Sequence, residues 1–182
     1  MIDPTLERYP FSMRALHWLV VLAVLVAYGV IYLEAFFPRG SVGRAYIWWT
    51  HISVGLALVA LLMLRIPNRI LARQPAPSAA LSRPVRIAAA VAHGLLYLLL
   101  IATPLLGIWL AFLRGDAVTF FSLFTIPSPI GIDRTYAREI KEVHETMADA
   151  LVVLAMLHAA TALVHHFVLK DDVLRRMLPP SR

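Results

Sequence analysis

The stretch ALHWLVVLAVLVAYGVIYL, residues 15–33, is nineteen residues without one charged side chain, and its reading decides the fold. A helix needs about 20 predominantly apolar residues to cross a bilayer. Three further runs meet that requirement: 45–64, 87–113 and 150–169. The first, second and fourth runs are close to the minimum length, whereas the third is longer and carries Pro104, which predicts tilt or a kink. The whole chain of 182 residues is 60% hydrophobic and 15% charged. Soluble domains are nearer half apolar and a quarter charged. Little chain remains for a soluble domain. The expectation is a single all-α domain over residues 1–182, an integral-membrane four-helix bundle with helices at about 13–36, 45–66, 85–113 and 135–170.

The net charge of +6 belongs to particular loops. Arg65, Arg69, Arg73, Arg83 and Arg86 crowd the connection between the second and third helices, Arg8 and Arg14 precede the first, and Lys170, Arg175, Arg176 and Arg182 follow the fourth. By the positive-inside rule, both termini and this middle loop of the multi-pass chain are expected in the cytoplasm. The partner of the basic side is then anionic membrane lipid rather than nucleic acid. Cys is absent, which excludes disulfides, iron–sulfur clusters and covalently attached c-type haem. Arg14 ahead of an apolar run imitates a signal peptide, but no small-x-small cleavage site follows, so this segment reads as a retained helix.

Between the spans, Ser12 is a candidate N-cap for the first helix, and Arg65-Ile66-Pro67-Asn68 is expected to stop the second. Trp48 and Trp49 stand where an interfacial aromatic belt belongs. Residues 74–78 form a Pro-rich cytoplasmic loop. The longest connection follows Arg114, with an interfacial turn of Phe120, Phe121 and Phe124. The segment 114–142 balances Arg114, Arg134, Arg138 and Lys141 against Asp116, Asp133, Glu139 and Glu142, so the count shows no focused field for steering an anion.

All seven histidines (His17, His51, His93, His144, His158, His165 and His166) fall in or at the ends of these helices. An imidazole in hydrocarbon needs a hydrogen-bond partner, water or a metal. Any one of them alone reads as a hydrogen-bonded packing residue; seven together, with few acidic partners, point to a cofactor. His144 and His158 are fourteen positions apart. At about 100° and 1.5 Å per residue, their directions differ by only about 40° and their heights by about 21 Å. One helix thus offers two axial ligands, one near each surface, to partners on facing helices. His51 lies at the level of His144, and Gly55, one turn further on the same face, leaves room for a flat macrocycle. His17 lies near the other surface. Depth counted from Lys170 favours His165 or His166 as its partner over His158, and His93 is a further candidate. Periodicity does not choose among them.

An ordered set of motifs narrows the choice. Arg14-Ala15-Leu16-His17-Trp18-Leu19, His51-Ile52-Ser53-Val54-Gly55, Ala92-His93-Gly94-Leu95-Leu96-Tyr97, His144-Glu145-Thr146, Leu157-His158-Ala159-Ala160, His165-His166-Phe167, Lys170-Asp171 and Leu174-Arg175-Arg176-Met177 together resemble the bacterial cytochrome b561 family over nearly the whole chain. The resemblance implies two non-covalent, bis-histidine haem b groups, one held by His17 with His158 and the other by His51 with His144. It implies that Arg14, His93, His165 and His166 support the ligand histidines, contact a haem propionate or line a quinone site. The branch resembled most comprises superoxide oxidases, which implies electron transfer from periplasmic superoxide to ubiquinone, with no residue forming a covalent intermediate. A second reading is a cytochrome b subunit linking a periplasmic dehydrogenase or soluble cytochrome to the quinone pool. A third is a haem-free transporter using a histidine relay, for which only Glu145 and Asp149 are acidic groups near the core.

Overall fold

The computed structural model describes residues 8–76 and 82–179. It contains four long helices, α1 (Phe11–Tyr32), α2 (Val42–Leu71), α3 (Arg83–Arg114) and α4 (Arg134–Phe167), with a 3-10 turn at Leu33–Phe36. A short antiparallel hairpin, β1 (Val118–Phe120) and β2 (Phe124–Ile126), joins α3 to α4. All four helices are long and apolar enough to cross a membrane. Residues such as Leu22, Leu25, Met63, Leu98, Met156 and Leu157 are exposed around the bundle. Helices apolar on their outward faces belong in lipid, so the chain is a multi-pass membrane helical bundle.

The helix ends differ from the sequence expectation for local reasons. Pro10, not Ser12, precedes α1, and Ser12 Oγ donates instead across to Asn68 Oδ1 at 3.3 Å. The second helix runs through Pro67 to Leu71. A proline removes one N–H and crowds the carbonyl four residues back, a cost borne here in the last turns rather than mid-helix. The fourth helix ends at Phe167, not 170, because Lys170 adopts a left-handed backbone (φ 56°) that reverses the chain. Asp133 caps its start, accepting from Thr135 N and Tyr136 N at 3.1 and 3.0 Å. The Pro-rich loop extends into residues 77–81, which, like Arg182, lie outside the described residues.

The α1–α2 and α3–α4 pairs pack face to face and meet through α2 and α3, whereas α1 and α4 touch sparsely. Val20, Ala23, Leu58, Leu62, Leu100 and Leu151 form the mid-height core. The start of α1, the segment after α4 and the described part of the α2–α3 connection share one end, here the terminal end, where Arg176 Nη1 donates to Ala76 O at 2.6 Å. Arg14 Nη1 and Trp18 Nε1 donate to the carbonyls of Leu178 and Met177 at 2.7 and 3.1 Å, and Tyr9 N to that of Arg176 at 3.2 Å, binding the returning C-terminal segment to α1.

The opposite, hairpin end carries the Phe-rich connection. A hairpin replaces the expected interfacial turn, with Phe121 and Ser122 at φ 43° and 61° making the reversal. Ser53 on α2 pins it: its fully buried hydroxyl donates to Thr119 O at 3.1 Å and accepts from Phe121 N at 3.0 Å. Irregular backbone near an apolar phase has to find such partners within the protein.

Candidate cofactor site

At the hairpin end, His51 of α2 faces His144 of α4 with ring centroids 6.2 Å apart and planes at 85°. Each ring is oriented by a helix other than its own. The His51 Nδ1 lies 2.8 Å from Ala27 O on α1, and the His144 Nδ1 lies 2.9 Å from Thr103 O on α3. A carbonyl only accepts, so both Nδ1 atoms carry the proton and Nε2 is left with its lone pair. This is the arrangement that orients a metal-binding imidazole. Both histidines line a cavity of about 480 Å³ together with Gly55 and Gly107. A Cβ at Gly55 would meet nothing within 4 Å, so that wall is open, as its spacing from His51 predicts. A Cβ at Gly107 would stand 3.0 Å from His144 Cε1, so glycine admits the imidazole there. Sequence reasoning passed over Gly107, because its partner sits on another helix and no spacing rule connects them.

At the terminal end, His17 of α1 faces His158 of α4 with centroids 6.4 Å apart and planes at 72°. The depth argument for His165 or His166 is corrected. His165 is drawn to Asp171, Nδ1 to Oδ2 2.5 Å, and the His166 ring meets that of Phe167 at 4.7 Å. Lys170 was a false ruler, because α4 stops at Phe167 and the chain turns back. His93 does join the cluster, its ring 5.1 Å from that of His158 and its Nδ1 2.6 Å from Ala89 O on its own helix. Arg65 closes the group: Nη2 lies 3.3 Å from His17 Nδ1, and Nε donates to Tyr97 Oη at 3.1 Å. Arg14 turns to the C-terminal segment instead.

Whether haem fits can be tested on spacing. Among the described residues no three His, Cys, Asp or Glu side chains converge as a metal cage. Paired imidazoles therefore suit a metal that brings its other donors, as a porphyrin does. Two imidazoles on opposite sides of one metal, each bonded through nitrogen at about 2 Å, put their ring centroids about 6–6.5 Å apart. The pairs at 6.2 and 6.4 Å meet this requirement, and His93–His158 at 5.1 Å is too close. Both pairs have the spacing that a metal held by two imidazoles needs, and the cavity beside His51 and His144 gives a macrocycle room there.

A second hollow of about 370 Å³ adjoins the cavity at the hairpin end, lined by Arg114, Arg134, Arg138 and Lys141 with Asp116. Arg114, Asp116 and Lys141 line both spaces. The segment that sums to no charge in sequence is thus sorted by the fold: four cations line the hollow with Asp116, Arg114 being paired with Asp116 and Lys141 with Glu145, while Asp133 is occupied as the helix cap. The positions of Arg134, Arg138 and Lys141, four and then three residues apart, share one helix face, a signal legible in the sequence. Arg44 takes no part, being paired with Glu34.

The model of the prokaryotic cytochrome b561 family matches residues 8–180. A probable superoxide oxidase, CybB, of Yersinia pestis is 35% identical over 178 residues, covering 97% of this chain and 98% of that protein. Cytochrome b561 homolog 2 of Escherichia coli K12 is 32% identical, covering 97% of this chain and 94% of the relative. Cytochrome b562 of Cereibacter sphaeroides is 32% identical, with 91% of each chain covered. With the family match over nearly the whole chain and paired imidazoles spaced for iron, this protein belongs to the prokaryotic cytochrome b561 family, membrane electron-transfer proteins that bind haem b.

Proposed function

We propose that this protein is a superoxide oxidase of the bacterial inner membrane, passing electrons from periplasmic superoxide to ubiquinone. The observation that carries this reading is the basic vestibule of Arg114, Arg134, Arg138 and Lys141, which adjoins the cavity between His51 and His144. A small anion is drawn to converging cations beside low-dielectric walls. The similarity to a probable superoxide oxidase supports the same assignment. The orientation is the one in which the Arg-rich terminal end meets the cytoplasm.

Two haem b groups are proposed, held by His51 with His144 and by His17 with His158. Haem supplies one-electron chemistry between ferric and ferrous iron. His51 and His144 would both hold the iron, a ligand pair that suits electron transfer rather than dioxygen binding. The carbonyls of Ala27 and Thr103 hold their Nδ1 protons and fix the orientation of the rings. Gly55 and Gly107 keep the cavity wall flat. The net reaction converts two superoxide ions, one ubiquinone and two protons into two dioxygen molecules and one ubiquinol. The protein contributes binding, orientation and potential tuning rather than a covalent step.

The test uses purified protein with haem counted per chain, an enzymatic source of superoxide and a soluble ubiquinone. Quinol formation, suppressed by superoxide dismutase and approaching one quinol per two superoxide ions, is the expected result. No quinol with superoxide, but rapid quinol formation from a reduced soluble cytochrome, would assign the chain to a dehydrogenase-linked subunit. A colourless protein would return the histidine-relay transporter.

A further inference from the structure

The cavity beside His51 and His144 has one side that packing leaves open. Its α3 wall is sealed: Thr103, Pro104, Leu110 and Ala111 line it and are buried. At the seam between α2 and α3, β1 packs on α2 and touches α3, and its Val118 lines the cavity while only 1% exposed. The α1–α2 and α3–α4 pairs pack face to face. The remaining seam, between α1 and α4, is different. Tyr28 and Tyr32 on α1 and Glu145 and Asp149 on α4 line the cavity, and all but Tyr28 are exposed. Residues that line an inner space and are also exposed mark a mouth.

Among the described residues, a single hydrogen bond crosses that seam. The Tyr28 hydroxyl donates to Asp149 Oδ1 at 2.8 Å, and the Tyr32 hydroxyl donates to that of Tyr28 at 2.7 Å. A hydrogen bond to a carboxylate is strong and directional, yet it breaks without unpacking a core. Tyr28 lies within the uncharged run 15–33, and Asp149 directly precedes the run 150–169. The mouth therefore stands where hydrocarbon gives way to head groups. A ligand with an apolar body and a polar rim collects at that boundary. Haem, a flat apolar ring with two carboxylates, is such a ligand. The basic vestibule is the competing entrance, but it is polar and crossed by two ion pairs, Arg114 with Asp116 and Lys141 with Glu145.

We infer that the α1–α4 seam is a lateral portal through which the His51–His144 site exchanges haem with the lipid, and that the Tyr28–Asp149 hydrogen bond is its latch. This rests on the placement of a haem between His51 and His144.

The test measures haem release from the holoprotein in phosphatidylcholine vesicles to excess apomyoglobin. Haem is counted per chain first; if His51→Ala removes none, the placement has failed rather than the portal. The release phase missing from His51→Ala then belongs to the hairpin end. Because the chain has no Cys, Tyr28→Cys with Asp149→Cys can be joined by a short, cleavable bis-maleimide without competing thiols. The hairpin-end phase should stall while this strap is closed and return when it is cut, with the other phase unmoved. Tyr28→Phe and Asp149→Ala should each quicken it about tenfold, the equivalent of one hydrogen bond to a charged group. The portal is overturned if closed and cut straps release at the same rate, or if a strap from Arg114→Cys to Lys141→Cys across the vestibule blocks release instead. The latch is overturned if neither Tyr28→Phe nor Asp149→Ala quickens release.

Discussion

The hairpin end and the terminal end solve the same problem with different surroundings. Both bring two imidazoles from separate helices to within a few tenths of an ångström of one spacing, 6.2 Å at one end and 6.4 Å at the other. At the hairpin end the rings are set by carbonyls of the intervening helices, beside an open cavity and a basic vestibule. At the terminal end a charged arginine and a third histidine attend the pair, and the returning C-terminal segment is bound to α1 nearby. Ligand geometry is therefore common to the two ends, while access and charge distinguish them. A substrate site is expected where a cavity and cations meet.

The comparison can be broken most directly at its ligands. His51→Ala or His144→Ala should remove one of two haems and spare the other, halving the Soret absorbance per chain; loss of both would show that the ends are not independent. At the vestibule, Arg138→Glu should slow superoxide oxidation about tenfold at low salt, with the deficit shrinking as ionic strength rises, while quinol formation from a reduced mediator is unchanged. Gly55→Phe should fill the cavity and cut haem occupancy at the hairpin end severalfold, whereas Gly55→Ala should be tolerated because nothing lies within 4 Å of the added methyl. Ser53→Ala strands Thr119 O and Phe121 N at a cost of about 1–3 kcal/mol, read as a lower melting temperature and faster proteolysis of the hairpin. The smallest effect belongs to His93→Ala. Its ring is too close to His158 to share an iron with it, so both haems should remain; loss of the terminal-end haem would reassign the ligand.

Much of the site was legible because periodicity carries it. The fourteen-residue interval between His144 and His158 puts both on one face of α4, and the four-residue step from His51 to Gly55 puts imidazole and gap together. The partner of His17 was not legible from depth. That argument needed the true end of α4, and a left-handed Lys170 ends the helix early. The hairpin was missed for a related reason. Two three-residue strands have no periodicity to detect, and they are held by Ser53, sixty-six residues before Thr119.

The amino-acid sequence alone determined four spans, the absence of cysteine chemistry, and a column of histidines within the helices, because hydropathy and helical pitch act over neighbouring residues. Only the tertiary structure decided which imidazoles meet, that Ala27 and Thr103 orient one pair while Arg65 attends the other, and that four scattered cations face a single hollow. Those outcomes depend on the relative height and rotation of separate helices. Packing sets these quantities, and no stretch of contiguous residues contains them.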